Sequence, residues 1–206
     1  MDVYITEQEQ IALLKKWLKT YAPPVILGII IALGIGLGWR YWRNANIQTT
    51  QTASVTYVNM IGATLDHLDA EAALMANSLI KNYSKTPYAQ FASLLLAKQA
   101  AENGAYDEAA NRLNWVINTT HNAAIKHIAT IRLAKINIAE GNPQAALTLL
   151  DTLNDTAYTG IIDGVRGDAY LALKQPEQAK AAYAAAEQAL PPTASALIQM
   201  KLANLP

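Results

Sequence analysis

The sequence predicts an all-α chain: one amino-terminal helix long and apolar enough to cross a membrane, followed by a solenoid of stacked helical hairpins. Three observations predict it. From Thr20 to Trp39 the chain reads TYAPPVILGIIIALGIGLGW, with no charge between Lys19 and Arg40. Residues 44–206 hold 35 alanines and only four valines, a balance that suits closely packed helices and leaves little material for strands. Beyond Pro87, three segments lie over one another with their turns 37 and then 33 residues apart, a spacing that marks a repeat architecture.

The first 20 residues form a short arm. Thr6, three residues before Glu9, makes a capping box that would open a helix, and Ile11, Leu14, Trp17, Leu18 and Tyr21 then share one face. Such an amphipathic arm lies in a membrane interface or docks on a partner. The membrane segment spans residues 21–43. From Pro23 to Trp42 there are 20 residues, which at about 1.5 Å per residue match a hydrocarbon core of about 30 Å. Pro23 and Pro24 are expected to mark the helix start, where a missing N–H costs nothing. Trp17 and Tyr21 flank one end and Trp39, Tyr41 and Trp42 the other, as amphipathic rings do at headgroup layers. The residues that follow, GWRYWRN, are bulky and cationic where a signal peptidase needs small ones, so the segment is an uncleaved signal anchor. Gly28, Ala32 and Gly36 recur every four residues, and Gly34 and Gly38 repeat that spacing. This stripe would let another membrane helix approach closely, although glycine is frequent in membrane helices whatever their contacts. Lys15, Lys16 and Lys19 precede the span and Arg40 and Arg43 follow it, so the cationic count favours an inside amino terminus only by three to two.

Residues 44–206 are long enough for one domain with its own core. The polar NANIQTTQ run from Asn44 contains no Gly or Pro and reads as a continuation of the anchor helix into Val55, Val58, Ile61 and Leu65, with a flexible tether as the other reading. A second helix covers Ala70 to Tyr83, and Ser84 to Pro87 turns the chain. The repeats begin there, as ASLLLAKQAAENGAYDEAANRLNWVI from Ala92, ATIRLAKINIAEGNPQAALTLLDTL from Ala129, and RGDAYLALKQPEQAKAAYAAAEQALPP from Arg166. Each is helix, tight turn, helix, with turns at Asn103–Gly104, Gly141–Asn142 and Lys174–Gln175. A small residue opens the packing face of each second helix at Ala109, Ala146 and Ala179, and a larger one follows at Leu113, Leu150 and Tyr183. Pro143 and Pro176 occupy the first turn of the second helix in their units, where proline is tolerated, and Asn142 is placed to cap. A last helix from Ala194 to Ala203 covers the end of the stack.

From Pro87 to about Pro192 this pattern resembles the tetratricopeptide repeats. It departs from them where Lys174 replaces the turn glycine and Asn137 takes a position usually small or aromatic. By that alignment the concave face is lined by Phe91, Leu94, Lys98, Ile128, Ile131, Lys135, Ile161, Asp168 and Leu171. The same residues could equally be core between repeats. With few charges among them, the face suits unfolded or varied protein clients better than a single acidic carboxy-terminal motif, which would demand a basic clamp.

The whole arrangement resembles a narrower family, the YfgM-like ancillary subunits of the bacterial Sec (SecYEG) translocon. The residues that carry it are GWRYW at Gly38–Trp42 and, more loosely, MKLANL at Met200–Leu205. The resemblance implies an inner-membrane protein with a cytoplasmic amino arm and a periplasmic domain, associated with the translocon and with a membrane-anchored periplasmic prolyl isomerase. Within this class the function is a membrane-anchored interaction module that assists newly translocated envelope proteins; the alternative is a scaffold or assembly factor for another envelope complex.

Catalytic chemistry is not expected, nor are a cofactor or a metal. The chain lacks cysteine and shows no HExxH, P-loop or GxGxxG motif. His121 and His127 are six apart, not the four that place two ligands on one helical face. Asp151 and Asp155, like Asp163 and Asp168, read as helix-end groups rather than an acid and base pair. Residues 44–206 carry 11 Lys and Arg against 13 Asp and Glu, with no basic run among aromatics, so nucleic acid is not a partner.

Overall fold

The computed structural model describes residues 7–205; within the first helix it leaves aside the side chains of residues 7–9, 20, 22, 23, 27, 29, 30, 42 and 44–46. All regular elements among the described residues are helical. They are α1 (Glu7–Leu65), α2 (Asp69–Asn82), α3 (Pro87–Glu102), α4 (Tyr106–Thr119), α5 (Ala123–Ala139), α6 (Pro143–Leu150), a 3-10 turn at Thr156–Tyr158, α7 (Thr159–Ala172), α8 (Pro176–Ala189) and α9 (Pro192–Ala203). The chain divides into two compact units, Met1–Gln51 and Thr52–Pro206.

The first unit is the greater part of α1, a helix of 59 residues. The polar stretch after Asn44 is helical, as the absence of Gly and Pro there allows, and not a flexible tether. Thr6, and with it the capping box, lies outside the described residues. The expectation that Pro23 and Pro24 start the helix is corrected, because both sit in its interior. Each proline removes one N–H from the ladder and frees the carbonyl four residues earlier, at Lys19 and Thr20. These carbonyls lie at the polar end of the apolar stretch, beside a lysine, where water can meet them.

The second unit is built from four hairpins that close in one way. His67, Gly104, Gly141 and Lys174 have φ of 59°, 74°, 83° and 60°, the left-handed geometry that ends a helix and turns the chain. In each turn the next N–H reaches back five residues: Leu68 to Ala63 at 2.8 Å, Ala105 to Ala100 at 2.8 Å, Asn142 to Asn137 at 2.7 Å and Gln175 to Tyr170 at 2.9 Å. Five residues after each left-handed position comes a fully buried alanine, Ala72, Ala109, Ala146 and Ala179. Four residues later Leu113, Leu150 and Tyr183 are also buried, as their spacing predicts, and Ala76 takes that place in the first hairpin. The repeat therefore starts one hairpin earlier than Pro87, with the end of α1 as its first helix.

The first helices form one layer, in which α3 packs on α5 and α5 on α7. The core runs through the stack in successive clusters. Ala53, Met60, Leu79 and Leu96 belong to the first, Leu113, Val116 and Leu133 to the second, and Leu150, Ile162 and Val165 to the third. Tyr183 of α8 and Ile198 of α9 belong to the last. At about 25 cal/mol per Å² of apolar area, burial of this kind is the main favourable term, and no hairpin buries its face without its neighbours. Polar ties fix the register within a hairpin and between neighbouring hairpins. The buried Thr120 hydroxyl donates to Gln90 at 3.0 Å, and Arg112 donates to Asn77 on α2 at 3.2 Å.

Candidate functional site

Two surfaces offer themselves, one in each unit. In the first, residues Pro24–Tyr41 form a helix long and apolar enough to cross a membrane, and none of that window is buried. A core helix of a soluble fold would be covered, so this one is a candidate membrane span. Along it, a Cβ added to Gly28, Gly34, Gly36 or Gly38 would meet nothing within 4 Å. Ala32 is exposed on the same helix. The small-residue stripe is thus open for its whole length within this chain. On the arm, the Trp17 and Tyr21 rings meet at a tilt of 40° with centroids 5.7 Å apart, as the helical spacing of four allows.

In the second unit the layer of first helices presents the residues assigned to a concave face, and they divide. Phe91, Lys98, Lys135, Ile161 and Leu171 are exposed, and Ile128 is half-buried. Leu94 and Ile131 are 6% and 5% exposed and belong to the second and third core clusters, so they are removed from the accessible lining. The physical reason is that successive first helices touch one another, which makes the side chains between them shared core. Asp168, placed on the same face, is half-buried and already engaged. Its Oδ1 accepts hydrogen bonds from the Tyr183 hydroxyl at 2.6 Å and from Lys201 Nζ at 2.5 Å. The same ammonium lies 5.6 Å from the centre of the Tyr183 ring. Burial, and then the bond to Asp168, push the Tyr183 phenol above its ordinary range.

Sequence reasoning missed an aromatic group at the start of this layer. Tyr57 on α1 stands 5.5 Å from the Tyr88 ring and 5.9 Å from Phe91, contacts worth about 1 kcal/mol beyond burial. The other acids also act inside the fold. Arg166 holds Asp151 and Asp163, each at 2.9 Å, which ties the end of α6 to α7. Asp155 accepts from the Ala157 N–H at 3.0 Å and faces His127 Nδ1 at 3.3 Å, while the His127 ring meets Tyr158 edge to face at 5.4 Å. His67 closes the first hairpin. Among the described residues, no three of His, Asp and Glu come together as metal ligands do. Where charged groups do collect around an apolar hollow is between α3, α4 and α5. A pocket of about 410 Å³ there has Lys98, Arg132 and Lys135 on its rim.

An uncovered apolar helix joined to a stack of helical hairpins with an open layer of first helices defines a membrane-anchored helical-repeat protein, whose surfaces suit protein contacts. The chain belongs to the tetratricopeptide repeat-like domain family, whose model matches residues 15–206. Along its length it is similar to proteins named ancillary SecYEG translocon subunit. That of Escherichia coli K12 is 27% identical, over 100% of this chain and 99% of its own. Those of Aggregatibacter actinomycetemcomitans and Haemophilus influenzae are 29% and 28% identical, over 100% of both chains in each case. The resemblance drawn from GWRYW and MKLANL holds over the full chain, span included.

Proposed function

We propose that this protein is a single-pass subunit of the bacterial inner membrane that associates with the Sec translocon and receives segments of newly translocated envelope proteins, together with periplasmic chaperones. Residues 1–20 are its cytoplasmic amphipathic arm, residues 21–43 its signal anchor and residues 44–206 its periplasmic domain. The anchor carries the membrane contact through Gly28, Ala32, Gly34, Gly36 and Gly38, because small residues let helix backbones approach where lipid gives no hydrophobic drive to association. The repeat domain carries the contacts outside the bilayer, with clients and with a membrane-anchored periplasmic prolyl isomerase. It works by binding: Asp155 caps the 3-10 turn, and Asp151, Asp163 and Asp168 are held by Arg166, Tyr183 and Lys201.

The observation that supports this reading most is that similarity to the ancillary translocon subunits runs through both the span and the repeats. Crosslinking of the intact chain in native membranes, followed by mass spectrometry, is the test. Translocon subunits should be recovered; if they are missing, the translocon assignment falls and a scaffold of another envelope complex replaces it. Alkaline phosphatase fused after Pro206 should be active, and activity only of a cytoplasmic reporter would reverse the orientation.

A further inference from the structure

The pocket between α3, α4 and α5 has an apolar floor of Ala97, Ala101, Leu113 and Ile136. Its rim carries Lys98, Arg132 and Lys135, with Glu102 as its acid. The cations outweigh that acid, and their own compensation is slight. Lys98 meets Glu102 at 3.5 Å with both side chains more than 60% exposed, a pair that adds at most about 1 kcal/mol and exchanges readily. Arg132 donates to the Leu94 carbonyl at 3.4 Å, a long bond to a neutral group. Lys135 has no carboxylate within ion-pair distance among the described residues.

The helix that supplies two of these cations is charged with one sign. Between Ala123 and Ala139, α5 holds Lys126, Arg132 and Lys135 and no acid, and α6 holds no charge. Elsewhere in the same layer the acids are already engaged: Asp168 by Tyr183 and Lys201, Asp163 by Arg166. A domain near neutrality overall thus concentrates uncompensated positive charge around one apolar hollow, where low-dielectric walls strengthen its field.

Resting on the interaction-module reading, we infer that this pocket receives an extended acidic segment of a partner protein. One apolar side chain lies on the Leu113 and Ile136 floor, and flanking Asp or Glu carboxylates meet Lys98, Arg132 and Lys135. The basic clamp that the sequence did not offer is assembled by the fold, from residues on two helices. A nucleic acid would need a longer cationic track and bases stacked on aromatic rings; the rim has neither.

The test uses the full chain in non-ionic detergent and fluorescence polarisation of a short peptide alternating leucine with aspartate, its amide-capped form, and its leucine and asparagine counterpart. The aspartate peptide should bind at least about ten-fold tighter than the asparagine one, capped or not, and weaken as salt shortens the Debye length. Arg132→Glu and Lys135→Glu should each weaken it about ten-fold, as reversal of a steering charge does. Lys180→Glu, on α8 and outside the pocket, should change nothing while helicity stays constant in all variants. Equal binding of the neutral peptide, untouched by Arg132→Glu, overturns the acidic preference and leaves the module reading standing. Loss of affinity on amide capping assigns the site to a free carboxy terminus and overturns the side-chain reading. Displacement of the bound aspartate peptide by phosphatidylglycerol in mixed micelles, and not by unlabelled aspartate peptide, assigns the patch to lipid and overturns the proposal. No binding of any peptide overturns the pocket as a site, whereas translocon crosslinks, measured separately, decide the module reading.

Discussion

Gly167 faces the ring of Tyr183 so closely that a Cβ added there would stand 2.3 Å from Cε1. The glycine on α7 exists to let α8 lay a buried tyrosine across it. That ring has little room to withdraw, since its hydroxyl is bonded to Asp168 and Lys201 sits over its face. Gly167→Ala is therefore expected to destabilise the repeat domain by about 1–3 kcal/mol, the usual cost of overpacking. Gly62, in the helical part of α1 within the repeat domain, is the contrast, because a Cβ there meets nothing within 4 Å. Gly62→Ala should stabilise by about 0.5–1 kcal/mol through helix propensity alone. Thermal unfolding of the two variants should move in opposite directions, and a tolerated Gly167→Ala would show that the ring is free to shift.

The same tyrosine gives the domain an alkaline limit. Its phenol ionises above the ordinary range because burial, and then the Asp168 carboxylate, oppose a second negative charge. The folded chain thus holds this proton more tightly than the unfolded chain. The contribution is present in full below about pH 10, the unfolded value, and is lost as pH rises from there toward the raised folded value. At neutral pH, Tyr183→Phe should cost about 1 kcal/mol for the lost hydrogen bond. Above about pH 10 the wild-type chain should lose its advantage over that variant. Denaturant midpoints of the pair across the alkaline range measure this, and a pH-independent gap would exclude the phenol as the cause.

The hairpin turns make a third expectation. Gly141 and Lys174 occupy equivalent places with φ of 83° and 60°, yet only glycine adopts such values without strain. Gly141→Ala should cost about 1 kcal/mol, and Lys174→Gly should leave stability unchanged or raise it by up to about 1 kcal/mol, since relief of strain competes with a more flexible unfolded chain. Chemical denaturation of both variants tests this, and a large loss on Lys174→Gly would mean that the lysine side chain, not its backbone, holds the turn.

The turns also explain what could be read in advance. Three hairpins were legible because Gly104, Gly141 and the prolines after the second and third turns punctuate them, and because the Ala109, Ala146 and Ala179 positions repeat beside a large residue. The first hairpin was not, since His67 stands where glycine is expected, Ala76 replaces the large residue, and its first helix is the tail of α1. The span was legible from charge alone, whereas the helical state of Pro23 and Pro24 was not, because propensity argues against it. Of the face assigned to binding, Leu94 and Ile131 were lost to contact between first helices. Asp168 was lost to Lys201, 33 residues away. Long-range ion pairs leave no periodic signal; of the cationic pocket, the repeat alignment put Lys98 and Lys135 on one face but missed Arg132, Glu102 and the apolar floor that complete it.

The last prediction separates the two surfaces. Gly36 lies within the apolar window Pro24–Tyr41, and a side chain added there meets nothing within 4 Å. Gly36→Leu should therefore leave the repeat domain folded, with its helicity and unfolding unchanged, because its core does not include this residue. In the membrane the same change would push a neighbouring helix outward, and packing is a main source of helix association in lipid. Crosslinks from the span to membrane partners should fall several-fold, while those from the repeat domain to partners outside the bilayer persist. Arg132→Glu should produce the reverse pattern. If Gly36→Leu leaves the span's crosslinks intact, the small-residue stripe is ordinary membrane composition and the repeat domain alone carries the association.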